Sequence, residues 1–80
     1  MFLKFQEMRK VSKDSWAVNG DYHVVECSAY SVQKEERRVF ATRDGGSAVE
    51  EVVPNDIHQV MYVMNGRGET VDSVVFPVVN

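Results

Sequence analysis

Eighty residues leave room for one domain, 1–80, around one core, and the single cysteine, Cys27, excludes any disulfide within the chain and suits a reducing compartment. No apolar run approaches the roughly 20 residues of a membrane-spanning helix, and Met1 to Arg9 alternates apolar with charged residues instead of forming a signal-peptide core, so no membrane association is expected. The formal charge of −3 is unevenly spread: residues 1–43 hold eight Lys/Arg against six Asp/Glu, whereas residues 44–80 hold one Arg against six.

The aliphatic set decides the fold class. It comprises sixteen Val, one Leu, one Ile and four Ala. Valine is stiff at χ1 and packs well on a pleated surface, whereas leucine and alanine favour helices. The composition therefore predicts an all-β or β-rich α+β chain, a small antiparallel barrel or sandwich of five to seven short strands, with at most one short helical turn.

In chain order, Phe2 to Val11 reads as a first strand with Leu3 and Phe5 on one face, followed by a polar turn at Ser12–Ser15. Trp16 to Val18 reads as a short strand. Asn19-Gly20 is the strongest hairpin signal, because a type I′ turn needs φ > 0 at both central residues. Tyr22 to Val32 is the longest predicted strand, with His23, Val25, Cys27, Ala29 and Ser31 on its more core-like face. Gln33–Glu36 is a polar connection, and Arg37–Thr42 a strand with Val39 and Ala41 opposite Phe40.

Arg43-Asp44-Gly45-Gly46 turns the chain. Ser47 with Glu50 matches a helix capping box, but Pro54 stops any helix within two turns, and Val52-Val53 suits a strand; the strand is preferred. Pro54-Asn55-Asp56 is a turn, with Asp56 able to cap one helical turn through Ile57 and Val60. Val60, Tyr62 and Met64 alternate with Met61 and Val63, Asn65–Gly68 turns, and Glu69–Phe76 returns. Pro77 cannot donate a ladder hydrogen bond, so the last strand should end there or lie at an edge.

The chemical candidates are weak. His23 and Cys27 share strand parity, but four residues at ~3.3 Å each separate them by about 13 Å, and no zinc-type spacing is present. A Cys27–His58 nucleophile pair would need an oriented imidazole, and Cys27 among Val25 and Ala29 reads as a small buried hydrophobe. Glu35-Glu36 and Glu50-Glu51 are adjacent pairs that point to opposite sides of a strand. Gly66-Arg67-Gly68 lacks the third glycine and the following helix of a dinucleotide loop. No enzyme, cofactor or metal is expected on these grounds.

The remaining reading is a non-enzymatic protein-binding module, a small accessory or inhibitor protein of the phage or mobile-element kind that acts on a larger macromolecule. It is expected in the cytoplasm, the host's if virally encoded. Starting at Met1, the chain reads as a stand-alone product with exposed sheet edges that can pair with another chain or with a second copy. Trp16, Tyr22, Tyr30, Tyr62 and Arg67 are residue types enriched at interface hot spots, and Glu50 and Glu51 offer acidic contacts. Single-stranded nucleic acid ranks second as a partner: Lys10, Lys13, Arg37, Arg38 and Arg43 would meet phosphates and aromatics would stack, against a sequence pI of about 5.2.

Overall fold

The computed structural model describes residues 1–79, apart from the side chain of Asn19. Seven strands form, and no helix is present among the described residues: β1 (Phe2–Ser12), β2 (Ser15–Glu26), β3 (Ala29–Gln33), β4 (Arg38–Thr42), β5 (Ala48–Val52), β6 (His58–Met64) and β7 (Thr70–Phe76). All pairings are antiparallel. One sheet has the order β2-β1-β6-β7, the other β3-β4-β5. The two face each other as an open sandwich, not a closed barrel, as the valine-rich composition predicts.

The core between the sheets comes from strand parity. Leu3 and Phe5 of β1 lie across from Val25 and His23 of β2 and from Val63 and Met61 of β6. Phe76 of β7 joins them, and Val39 and Ala41 of β4 close the layer from the opposite sheet. Leu3, Phe5, Met61, Val39 and Phe76 are fully buried. Each such side chain contributes on the order of 1.5–3 kcal/mol by leaving water.

Two turns differ from expectation. Asn19-Gly20 is no hairpin. The chain runs straight through it inside β2, and the turn falls at Lys13-Asp14, within the Ser12–Ser15 segment read as polar. A turn at Asn19-Gly20 would pair only the three residues Trp16–Val18 on one side. The observed hairpin gives β1 nine ladder positions with β2 and supplies a second neighbour to a strand that is apolar on both faces. Glycine is absorbed by a bulge instead: Gln6 pairs with Tyr22 and Met8 with Val18, so three residues of β2 stand opposite Glu7.

The strand predicted over Tyr22–Val32 is also broken. A bend at Cys27-Ser28 carries the chain from one sheet to the other, fixed by Cys27 N–H to Met1 O at 3.0 Å and Ser28 N–H to Thr42 O at 2.8 Å. The bend shifts the parity, so Tyr30 and Val32 pack on the core while Ala29 and Ser31 are exposed. The 47–58 segment resolves as β5 followed by a turn, with Ile57 N–H bonded to Pro54 O at 3.2 Å in place of any helical turn. The last strand stops before Pro77 and lies at a sheet edge, as proline requires.

Arg37 ties these pieces together. It closes the β3–β4 turn with φ 57°, a left-handed conformation that β-carbon sterics disfavour in any residue but glycine. That φ turns the side chain inward, where it is buried and donates only to main-chain carbonyls. Nε reaches Val53 O at 3.1 Å, and one terminal nitrogen reaches Pro54 O at 2.8 Å and Ile57 O at 2.6 Å. The other terminal nitrogen donates to Pro77 O. The Arg37 carbonyl accepts from Val53 N–H at 2.9 Å. One side chain thus fixes the β5–β6 crossover and the end of β7. Arg37→Ala should lower the unfolding free energy by about 3 kcal/mol or more in urea titration, since several buried carbonyls lose a charged donor. Arg37→Lys should rescue little, because an ammonium lacks the planar fork. Arg37→Gly should be less damaging than Arg37→Ala by roughly 1 kcal/mol, the left-handed strain being removed. Equal stability of wild type and Arg37→Ala would show that the staple is dispensable.

Candidate functional site

The larger sheet has apolar residues on both sides. Antiparallel sheets usually show water a polar face. Register places Phe2, Lys4, Gln6, Met8 and Lys10 of β1 on the side away from the core, flanked by Trp16, Val18, Tyr22 and Val24 of β2 and by His58, Val60, Tyr62 and Met64 of β6. Val75 of β7 extends the same side beyond Val60. Val18 and Val24 are each 49% exposed and Tyr22 60%. Val60 is buried within this outer layer without belonging to the core cluster, so the outer side chains pack on one another.

Two ring contacts organise the face. The Trp16 indole lies across β1 and stacks on the His58 imidazole, with centroids 4.3 Å apart and planes 17° off parallel. The Lys4 ammonium sits 4.5 Å from the centroid of Tyr22. Each contact occupies one side of a ring and leaves the aliphatic surface between them open. Beyond Met8 and His58, β1 and β2 continue without a third strand, so Arg9–Ala17 forms a two-stranded arm with Arg9, Lys10 and Lys13 against Asp14.

The structure gathers some of the predicted site residues and scatters others. Trp16, Tyr22 and Tyr62 share the outer face. Tyr30 belongs to the smaller sheet and packs on the core. Arg67 is exposed in the β6–β7 turn, where its N–H bonds Asn65 Oδ1 at 2.9 Å. Glu50 points outward to Arg38 at 3.2 Å, and Glu51 points to the other side, where it meets His23 at 3.2 Å. The five cations named for a nucleic-acid face do not converge. Lys10 and Lys13 lie on the arm, Arg38 is paired and Arg43 is in the β4–β5 loop, while Arg37 is buried among carbonyls. Lys4, Val18, Val24 and Val75 were not read from sequence as binding-face residues, and His58 was weighed only as a partner for Cys27. Their signal was present in parity: Phe2, Lys4 and Met8 on one strand and Tyr22 and Val24 on another form an apolar stripe opposite the core-like one.

His23, Cys27 and His58 occupy three separate settings. Cys27 is buried at the inter-sheet bend, where desolvation raises its thiol pKa and the N-terminal ammonium partly opposes this. Burial first, and the charge of Arg37 second, hold the His58 pKa below the ordinary histidine value.

What the fold and this face define is a small all-β two-sheet domain whose larger sheet is covered on one side only. Compared with protein-family models, curated proteins and solved structures, the chain shows no significant match. Among the described residues no helix is long and apolar enough to cross a membrane.

The lowered His58 pKa sets a pH dependence. Between that pKa and the unfolded value near 6.5 the unfolded chain takes up a proton that the folded chain resists. Stability should therefore be full above the histidine range and fall as the pH drops through it. His58→Phe keeps a ring under Trp16 but cannot titrate, so wild type should lose stability relative to this variant between pH 7.5 and 5. Parallel stability profiles for the two proteins would remove His58 as the cause.

Proposed function

We propose that this protein is a non-enzymatic protein-binding module that docks its partner on the outer face of the four-stranded sheet. The carrying observation is the uncovered apolar surface of Val18, Tyr22 and Val24, continuous with Trp16, Tyr62 and Val75. Four strands at ~4.8 Å and seven residues at ~3.3 Å give a footprint of roughly 440 Å². The exposed apolar side chains form a continuous part of this face, and such a patch on a small domain marks an interaction surface. Rigid aromatic side chains suit hot spots, and Lys4 and Lys10 outnumber Glu26 on the face, which favours a partner whose apolar contact has an acidic rim. A small accessory or inhibitor protein works in this way, by covering a functional surface of a larger macromolecule; we place this activity in the cytoplasm.

Single-stranded nucleic acid is the second reading, favoured by the proximity of Trp16, Tyr22 and Tyr62 to Lys4 and Lys10 on one sheet face. Two observations rank it lower. The exposed valines offer nothing to a base, and His58 and Lys4 already occupy one side of the Trp16 and Tyr22 rings.

Affinity capture from the source cell, with quantitative mass spectrometry, tests the first reading. Wild type should enrich a defined partner, and a Tyr22→Ser/Val24→Ser variant should lose at least about 90% of it while keeping its melting temperature, since exposed positions contribute little to stability. A bare wild-type bait at several salt concentrations would sink the proposal. A mobility shift with single-stranded oligonucleotides at low salt, abolished by Lys4→Ala/Lys10→Ala, would replace it with the second reading.

A further inference from the structure

The sandwich is open along one seam, and the seam is chemically distinctive. A groove of about 320 Å³ lies between the β1/β2 side of the larger sheet and β5 of the smaller one. That volume is at the small end of the ~300–1,000 Å³ range of ligand sites and suits a single side chain. Glu7, Asp21 and Glu51 line it together with His23, Phe5 and Gln59. Glu7 and Gln59 are register partners on β1 and β6. Asp21 enters because the β2 bulge opposite Glu7 places it there. Glu51 spans the seam to His23 at 3.2 Å, and the His23 ring stacks on Phe5 with centroids 4.9 Å apart.

Gln59 is the informative residue. It is 93% buried, at 7% exposure, and its side-chain amide has no hydrogen-bond partner among the described residues. No fully enclosed side-chain nitrogen or oxygen lacks a partner. The Gln59 amide therefore keeps its polar access through the groove it lines. Water satisfies it there, and a ligand group that donates to or accepts from the amide takes the place of that water. The carboxylates are similarly underused: the ion pairs among the described residues are His23–Glu51 and Arg38–Glu50, so neither Glu7 nor Asp21 meets a cation. Arg37 bonds the carbonyls of Val53, Pro54 and Ile57, which belong to the groove wall, and its donors are spent there.

The complement of such a groove is a cation with several N–H donors and an apolar stem. Among the described residues no three His, Cys, Asp or Glu side chains form a cluster that could hold a metal ion. Val52, Pro54 and Ile57 offer an apolar wall to the stem. A guanidinium is planar, delocalised and weakly hydrated, stacks on rings, and bonds carboxylates and amide oxygens together. We propose that the seam groove recognises an alkylguanidinium, supplied by an arginine of a partner protein or by a free small guanidine. The groove borders the outer-face docking surface and shares Tyr22 with it, but its acidic groups and Gln59 lie on the inner side of the sheet, so the proposal does not depend on that surface.

The test is an ¹⁵N-resolved NMR titration of the full chain with three probes: N-acetyl-argininamide, agmatine, and N-acetyl-citrullinamide as the uncharged isostere. A charged probe should give saturable shifts at Gln59, His23 and Glu51, and the citrulline probe should bind at least about tenfold more weakly, one ion pair being lost. Glu7→Gln/Asp21→Asn should weaken the charged probes by a similar factor without changing the melting temperature. Tighter binding of argininamide than agmatine assigns the ligand to a protein side chain, and the reverse order assigns it to a free guanidine. Non-saturating shifts, or an equal response to citrulline, would overturn the proposal. Because pure protein is titrated, a failed partner capture leaves this result intact, and a failed titration leaves the outer-face reading intact.

Discussion

The Arg37 guanidinium in its cage of carbonyls is the constraint on which the architecture depends. The smaller sheet is joined to the larger by two crossings, the Cys27-Ser28 bend and the Val53–Ile57 segment. The second has no regular structure and leaves main-chain carbonyls facing inward, and buried carbonyls need donors. Arg37 supplies several from one side chain. Its left-handed φ, a local cost, is what aims the side chain at them. The strain of one turn and the order of a distant crossover are thus one feature.

With the crossover fixed, the smaller sheet covers one face of the larger and cannot cover the other. Three strands against four also leave a seam where β2 and β5 approach without pairing. Both candidate binding regions follow from this mismatch. The outer face is exposed because there is no third layer, and the groove is open because the sandwich does not close into a barrel. The chemistry differs between them: aliphatic and aromatic outside, acidic with an unpartnered amide in the seam. The uneven charge along the chain is redistributed accordingly, with Glu7 and Asp21 from the first half beside Glu51 from the second.

Valine content and strand parity alone determined that the chain is β-rich and antiparallel, where most turns fall, and that Leu3, Phe5, Val39, Ala41 and Phe40 take the sides they do. These are local consequences of χ1 stiffness and of the period of two. The aromatics Trp16, Tyr22 and Tyr62 were also legible as interface residues by type. Parity could not say which of two apolar sides of a strand is the core, because that depends on which sheet arrives to cover it. It also could not place Tyr30, whose side was set by the Cys27-Ser28 bend.

Only the tertiary structure decided the rest. Asn19-Gly20 carries a strong local turn preference, and nine ladder positions between β1 and β2 outweighed it. Arg37 and Arg38 read alike from sequence, as phosphate contacts of the nucleic-acid alternative, yet the first is buried and the second exposed, because a single φ beyond the reach of composition turned one side chain inward. The groove unites residues 7, 21, 51 and 59, which share no motif. Long-range pairing brings them together, and pairing energy is a property of the assembled sheets, not of any segment read alone.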